Sequence, residues 1–286
     1  LNLEFKHQTI TLKKFWDLIP PKYTPITENI LVEKFSCDAK VIISCGRKSV
    51  IPSIALKKKF GKDIFNIHIQ DPKVSIDNFD CIVCPEHDDL DGENVLQTLG
   101  AIHYLTAKEI KSNNAYLKFN KNNKKIVSLI IGGPNNYYDF NEKEIGFLFN
   151  KIKIIFSPDK YKLIVVPSYR TPKNIIDMSF GVFGDDHVVV KSVDKKAYLS
   201  ALSLADYIVV TSDSTSMISE SAVTGKPIYI ANMKAKKSSK RFNKFYNQFK
   251  QMKIIRDLEN NIETWGYNKL DEANRVAAII KKKMNL

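Results

Sequence analysis

Short apolar runs alternate along the chain with stretches of helical periodicity, and polar residues cluster after most of the runs. The apolar runs that predict strands are 39–44, 64–69, 79–84, 126–131, 161–166 and 187–190. The stretches that predict helices are 50–60, 142–155, 173–180, 198–204 and 271–283. This alternation predicts an α/β protein with parallel sheets. Because ligands of such sheets bind beyond the carboxyl ends of the strands, the polar residues after the runs are the first candidates for a site.

The most informative stretch is 207–230, where an apolar run leads into a hydroxyl-rich loop, a short helix and a second apolar run. Ser212, Asp213, Ser214 and Thr215 all suit the N-cap of that helix, where a side-chain oxygen accepts from free backbone N–H groups. A helix that begins at the end of a parallel strand can bind an anion through those N–H groups and its dipole. A well-capped helix without a ligand is the alternative.

A polar segment separates two similar α/β units. Residues 118–125 are polar and charged and lack apolar periodicity, which is typical of a domain boundary. We therefore predict an N-terminal Rossmann-like domain over residues 1–120 and a C-terminal one over residues 121–268. We expect the last helix, within residues 269–286, to pack back toward the N-terminal domain. A length of 286 residues suits two domains.

Composition narrows the class of protein and of partner. Apolar residues make up 44% of the chain, which is enough for substantial cores, and no apolar run approaches the roughly 20 residues that span a bilayer. The formal net charge of +13 favours nucleotide phosphates, an anionic membrane surface or nucleic acid as partners. A coding bias toward lysine explains the charge equally well. We expect a cytoplasmic protein, peripheral at the inner face of the membrane, and no nucleic-acid partner.

Basic residues are concentrated in the segment Lys234 to Lys253. It contains eight basic and no acidic residues, and four aromatic residues lie between them. Basic segments with interleaved aromatics bind anionic lipid surfaces, so this segment is the predicted membrane contact. A solvated loop and helix is the alternative.

Several common catalytic patterns are absent from the sequence. Gly132 and Gly133 are not followed by the Gly-Lys-Ser/Thr of a phosphate-binding loop, and there is no GxGxxG dinucleotide fingerprint. The five histidines are scattered, so no metal site is expected. Cys81 and Cys84 have the spacing of a redox pair, but they lie in an apolar run, where buried thiols are the better interpretation.

Polar loops after the strands supply candidate binding residues in the second domain. Gly132 and Gly133 let backbone approach a ligand closely, although an ordinary tight turn uses the same residues. Arg170 offers a guanidinium that can pair with phosphate or with a carboxylate. Glu220 lies about two turns into the predicted helix 214–223, where it can accept hydrogen bonds from sugar hydroxyls or remain a solvated carboxylate.

The first domain supplies candidates for proton transfer. Arg47, Asp71, Glu86 and His87 follow three successive predicted strands and are expected to converge on the cleft that faces the second domain. Glu86 and His87 place a titratable imidazole beside carboxylates, which suits a general base. A surface salt-bridge cluster is the alternative.

Six segments carry a family resemblance. They are 44–49, 69–72, 83–88, 131–134, 167–172 and 211–220. In this order they resemble the mitochondrial fission ELM1-like family, which spans plant proteins of the mitochondrial outer surface and alphaproteobacterial proteins regarded as candidate glycosyltransferases. More remotely, the layout resembles GT-B glycosyltransferases such as the lipid-II-forming N-acetylglucosaminyltransferase.

The resemblance implies a GT-B-like fold, in which two Rossmann-like domains with parallel sheets face an interdomain cleft. It implies transfer of a sugar from a nucleotide-diphosphate sugar to a cell-envelope-related acceptor, without a cofactor or a metal. A non-catalytic scaffold at a membrane surface is the alternative function. The family's pattern begins with another strand and helix, so the N-terminal domain is expected to lack its first strand and helix.

The resemblance also implies roles for individual residues: Gly132 and Gly133 match the glycine loop, Ser214 to Met217 the helix start that faces the diphosphate, and Glu220 the glutamate that binds ribose hydroxyls. Together with the polar residues of the neighbouring loops, the residues expected to bind the nucleotide-sugar are Gly132, Gly133, Arg170, Ser212, Asp213, Ser214, Thr215, Ser216, Met217 and Glu220. From their own chemistry, His87, Glu86 and Asp71 are expected to act on the acceptor as catalytic groups and Arg47 as a contact. Ser214 stands where GT-B enzymes commonly have glycine.

Overall fold

The computed structural model describes residues 4–33, 39–61 and 63–284. The chain divides into two compact units, of which the first comprises Leu1–Leu99 with Glu272–Leu286 and the second Gly100–Asp271. The boundary therefore falls at residue 100, earlier than residue 120. Residues before the polar segment belong to the second unit because Leu117 and Phe119 pack against its core.

Parallel strands form the sheet of the first unit, in the order β1-β2-β3-β4. The strands are β1 (Val41–Cys45), β2 (Phe65–Ile69), β3 (Cys81–Pro85) and β4 (Val95–Thr98). The helices of this unit are α1 (Lys14–Leu18), α2 (Val50–Phe60) and α9 (Glu272–Lys283). Helix α9 is fixed to the end of β4, because Glu272 accepts from Leu99 N at 2.8 Å and Arg275 donates to Gln97 O at 2.6 Å.

The core of the first unit lies between α2 and the sheet. Ile51 and Ile54 of α2 pack with Ile82 and Cys84 of β3, and all four are buried. Cys81 and Cys84 are buried thiols, as the apolar run around them predicts.

The second unit contains a six-stranded parallel sheet in the order β10-β9-β8-β5-β6-β7. The strands are β5 (Lys125–Ile131), β6 (Tyr161–Pro167), β7 (Val188–Val189), β8 (Tyr207–Thr211), β9 (Ile228–Ala231) and β10 (Ile255–Asp257). The helices are α3 (Ala107–Ser112), α4 (Glu142–Ile155), α5 (Lys173–Phe183), α6 (Lys195–Leu204), α7 (Thr215–Ser221) and α8 (Lys240–Gln251). From β5 the chain moves outward to β7, then returns to β8 on the other side of β5 and moves outward again. The order therefore reverses between β5 and β8.

Both faces of this sheet are buried, which is why its strands read as continuous apolar runs. Successive side chains of a strand point to opposite faces. Accordingly, Leu163 and Val165 of β6 belong to the core that contains α4 and α5, whereas Ile164 and Val166 belong to the core that contains α6. The central strands β5 and β8 are thus held rigidly, and the loops that follow them start from fixed points.

Candidate functional site

The candidate site lies where the strand order of the second unit reverses. Strands β5 and β8 are neighbours, and the loops that follow them meet at the carboxyl edge of the sheet, where Gly132 N donates to Thr211 Oγ1 at 2.8 Å. In doubly wound sheets, the crevice at such a switch point is the usual place for a ligand. The residues predicted to bind a nucleotide-sugar follow β5, β6 and β8, so the fold brings them to this edge.

Asp213 is the centre of the cluster. Its side chain is fully buried, and it receives hydrogen bonds from Thr211 Oγ1 at 2.6 Å, Gly133 N at 3.0 Å and Arg170 Nη2 at 2.7 Å. Burial raises the pKa of the Asp213 carboxyl above its usual value, although these three donors oppose the rise. The carboxylate of Asp213 thus lies between the loops that follow β5, β6 and β8, where the strand order reverses.

Gly132 and Gly133 make room for this cluster. A Cβ atom on Gly132 would lie 2.1 Å from Asp213 Oδ2, and one on Gly133 would lie 1.9 Å from the carbonyl oxygen of Arg170. The backbone N–H of each glycine donates to a neighbouring side chain of the cluster. In this structure, Gly132 and Gly133 allow their backbone to approach Asp213 and Arg170, which are groups of the protein itself and not of a ligand.

Arg170 lies in the loop after β6 and spans the cluster. Its guanidinium donates to Gly133 O at 2.7 Å as well as to Asp213, and its side chain remains 40% exposed. The ion-pair role left open by the sequence is therefore the one seen, while part of the Arg170 side chain remains accessible to solvent. Asn135 adds a further bond by donating to Asp213 O at 3.0 Å.

Helix α7 begins directly after the buried Asp213. Ser214 is its N-cap, with Oγ accepting from Met217 N at 3.4 Å, and its extended φ of −130° does not need glycine. The first N–H groups of a helix have no acceptor within the helix. Those of Thr215 and Ser216 are therefore open to a ligand, and the Ser216 side chain is exposed.

Ser212 fixes the loop before the helix. Its Oγ accepts from Met233 N at 3.0 Å, and its carbonyl oxygen accepts from the hydroxyl of Tyr246 in α8. The aromatic side of α8 is thus part of the support of the site.

Glu220 is half-buried on α7 and is held by a tyrosine of α6. Tyr198 donates its hydroxyl to Glu220 Oε2 at 2.7 Å. Burial raises the pKa of Glu220, while Tyr198 and His103 oppose the rise. Burial and the nearby carboxylate raise the pKa of Tyr198 well above its usual value, so the phenol stays a donor.

Residues at the start of the second unit contact helix α7. Ala101 N donates to Ser219 Oγ at 3.0 Å, and His103 Nε2 lies 3.2 Å from Ser219 O. Tyr198, His103 and Tyr246 were not predicted as site residues. Each reaches α7 or its loop from a distant part of the sequence, and no local pattern marks it.

The candidates of the first unit lie in the loops that follow β1, β2 and β3. The guanidinium of Arg47 donates to the carbonyl oxygen of Asp17, and Asp71 accepts from Lys73 N at 2.8 Å. Glu86 and His87 lie in a single 3-10 turn.

The His87 imidazole is not accessible, as a general base would need to be. Its imidazole is fully buried, and its Nε2 lies 3.9 Å from Asp88 Oδ1. Both the general base and the surface salt-bridge cluster that the sequence Glu-His-Asp suggests need an accessible imidazole, but the His87 imidazole is directed inward in the turn after β3, while Glu86 stays half-buried.

The chain is similar in sequence to two known proteins. A protein of Rickettsia prowazekii, named only as uncharacterized, is 30% identical, with 98% of this chain and 92% of the relative covered. The mitochondrial fission protein ELM1 of Arabidopsis thaliana is 23% identical, with 85% of this chain and 64% of that protein covered.

Among solved structures, a Listeria monocytogenes protein assigned as a UDP-N-acetylglucosamine 2-epimerase aligns with a TM-score of 0.53 at 13% identity. The alignment covers 86% of this chain and 75% of that one. At this identity the likeness concerns the fold alone, and the GT-B-like pair of Rossmann-like parallel sheets is confirmed. The chain also matches the family described as Mitochondrial fission ELM1 over residues 1–284. This protein therefore belongs to the mitochondrial fission ELM1 family.

Proposed function

We propose that the second unit binds a nucleotide-diphosphate sugar and that the protein transfers the sugar to a cell-envelope-related acceptor. The observation that carries this proposal is the placement of Glu220, held by Tyr198, on the helix that begins at the switch point, with Arg170 on the neighbouring loop. A carboxylate, open helix N–H groups and a guanidinium are groups that suit ribose hydroxyls and a diphosphate.

Each part of the donor has a proposed contact. The diphosphate lies against the N–H groups of Thr215 and Ser216 and the exposed edge of Arg170. Because charge develops on the diphosphate as the sugar leaves, fixed donors at this point stabilise the transition state, and a metal is not required. Glu220 accepts from the ribose hydroxyls. Gly132, Gly133 and Asp213 support this arrangement by holding Arg170 and the start of α7.

Proton removal from the acceptor is assigned to the first unit. Asp71 and Glu86 follow β2 and β3 and keep part of their side chains accessible. We place the general base on one of these two carboxylates, with Arg47 as an acceptor contact. Because the His87 imidazole is buried, we assign it a supporting position in the turn beside Asp88.

Replacing Glu220 by alanine is expected to weaken binding of the nucleotide-sugar by roughly ten- to a hundredfold, because hydrogen bonds to a charged acceptor are lost. Calorimetric titration with UDP-, GDP- and dTDP-sugars measures the effect. Glu144→Ala, in the first turn of α4, removes a half-buried carboxylate away from the site; it is the matched control and should bind as the parent does. If the parent protein binds none of these nucleotide-sugars, the transferase proposal fails.

The segment Lys234 to Lys253 is proposed to contact an anionic membrane surface electrostatically. Its aromatic residues Phe245 and Phe249 are buried in the second unit, so they are not available for insertion into lipid. The lysines 234, 237 and 240 are exposed. Among the described residues, no helix has the length and apolar character needed to cross a membrane.

Changing lysines 234, 237 and 240 to glutamate is expected to lower binding to phosphatidylserine vesicles at least tenfold, since each lysine near such a surface contributes about 1 kcal/mol. Vesicle sedimentation at low and high salt measures the effect. The matched control reverses the exposed lysines 143, 160 and 173, which carry the same charge elsewhere in the unit. If both variants lost vesicle binding equally, the binding would depend on net charge alone, and the proposal of a specific contact through this segment would fail.

A scaffold without catalysis is the second candidate function, and the name of the Arabidopsis relative favours it. The two candidates make different demands on the second unit. A scaffold at a membrane needs the basic surface but no nucleotide-sugar. Vesicle binding without nucleotide-sugar binding would therefore support the scaffold, whereas nucleotide-sugar binding that depends on Glu220 would support the transferase.

A further inference from the structure

Tyr169 has an unusual setting for an aromatic residue. Its side chain is 92% exposed, the highest value among the large apolar side chains of the described residues. It lies directly beside Arg170, in the loop that follows β6 at the carboxyl edge of the sheet. Exposed single apolar residues are common on protein surfaces, so exposure alone assigns no role.

The loop that carries Tyr169 is held firmly. Ser168 N donates to Ile131 O at 3.0 Å, and Thr171 N donates to Ser168 O at 3.0 Å. The hydroxyl oxygen of Thr171 lies 2.6 Å from Gly132 O and 2.8 Å from Ser168 N. Pro167 and Pro172 restrict the backbone on either side. The protein therefore fixes the backbone on both sides of a tyrosine whose ring it leaves in water.

A fixed loop with an exposed ring is a feature of binding surfaces. Tyrosine supplies a large amphipathic contact area and loses little conformational entropy on binding, because it has only two side-chain torsions. Among the described residues, no aromatic ring or cation stacks on Tyr169, in contrast to Tyr104, whose ring has Lys195 over it at 4.5 Å. The exposed ring is available to a ligand at the edge of the candidate site.

The strand order indicates which part of a ligand would meet this ring. Glu220 belongs to the helix after β8, the Gly132–Gly133 loop follows β5, and Tyr169 follows β6. Neighbouring strands are about 4.8 Å apart, so the β8 and β6 positions are separated by roughly 10 Å along the edge. Arg170 lies in the same loop as Tyr169, so a donor with its ribose at Glu220 and its diphosphate against Arg170 would bring its sugar to the β6 loop.

We propose that Tyr169 stacks on the apolar C–H face of the donor sugar and thereby selects sugar-bearing over bare nucleotides. This inference rests on the proposed function, which supplies the ribose and diphosphate contacts, and adds the contact for the sugar. The interaction is dispersive and directional, like that of aromatic rings with other apolar faces.

The experiment compares bare nucleotides with their sugar conjugates on the whole chain. The pairs are UDP with UDP-N-acetylglucosamine, GDP with GDP-mannose, and dTDP with dTDP-glucose. Tyr169→Ala is expected to weaken the sugar conjugate that the parent binds by about three- to tenfold and to leave the bare nucleotide unchanged. Tyr169→Phe should retain most of the affinity because it keeps the ring.

Matched controls separate this contact from general effects. Phe147→Ala removes an aromatic side chain of 66% exposure on α4 and should change neither affinity. Because Tyr169 is almost fully exposed, the alanine variant should keep the melting temperature of the parent. Equal weakening of nucleotide and conjugate in Tyr169→Ala would place the ring on the base or the diphosphate and overturn the inference, as would no weakening of either. If the parent binds no conjugate, the proposed function fails, and this inference fails with it.

Discussion

Replacing Gly133 by alanine is expected to lower the free energy of unfolding by about 3 kcal/mol or more, because the added methyl overlaps main-chain atoms. The new Cβ would lie 1.9 Å from the carbonyl oxygen of Arg170 and 2.2 Å from its carbonyl carbon. A flexible side chain could move away, but this backbone is tied to Ile131 through Ser168. The loops after β5 and β6 would therefore have to separate.

Gly181→Ala is the matched control for this substitution. Gly181 is an exposed residue of α5, and a Cβ there meets nothing within 4 Å. Because alanine has the higher helix propensity, this variant should be more stable by about 0.5–1 kcal/mol. Urea denaturation of the two variants and the parent measures both effects. If Gly133→Ala were as stable as the parent, the described contact between the two loops would be wrong.

Replacing Asp213 by alanine is the second change with a large expected effect. It leaves the guanidinium of Arg170, the N–H of Gly133 and the hydroxyl of Thr211 without their acceptor. Removal of one partner from a buried ion pair typically costs about 3–5 kcal/mol. Since the Arg170 side chain is 40% exposed and can regain water, the lower end of this range is expected.

Asp257→Ala provides the comparison. Asp257 pairs with Lys250 at 2.6 Å, but both side chains are well exposed, so its loss should cost less than about 1 kcal/mol. A double-mutant cycle with Arg170→Ala then isolates the coupling between Asp213 and Arg170. Equal losses in the two aspartate variants, or no coupling in the cycle, would contradict the central role of Asp213.

Much of the fold could be predicted from the sequence because the strands are buried on both faces. The run 126–131 became β5 (Lys125–Ile131), and the run 161–166 became β6 (Tyr161–Pro167). The boundary between the two units, at residue 100, could not be predicted from the sequence in the same way. The polar segment 118–125 leads into β5 within one unit, and Leu117 N donates to Ser200 Oγ at 3.1 Å across 83 residues of sequence. Such a contact leaves no local signal.

The sequence indicated which loops end at this edge of the sheet, but not the contacts between them. Hydroxyl-rich and glycine-rich loops after strands indicate a site edge, since parallel strands end together. The sequence did not indicate that the Asp213 carboxylate would accept hydrogen bonds from the Gly133 amide and the Arg170 guanidinium. That arrangement depends on the relative register of β5, β6 and β8. Likewise, Tyr198 reaches Glu220 because α6 and α7 pack on the same side of the sheet, which a single sequence does not reveal.

The two sides of α8 have different surroundings. The inward side chains include Phe245, Phe249 and Tyr246, the last of which donates to the carbonyl oxygen of Ser212 in the site loop. The outward residues Lys240, Asn243 and Lys250 are exposed, and Lys250 pairs with Asp257 at the surface. We therefore expect relatives to exchange outward lysines and arginines freely, even at shifted positions, while the inward aromatic residues change only together with the loop they support. The net charge of α8 can then differ between relatives without a change in the loop that carries Ser212.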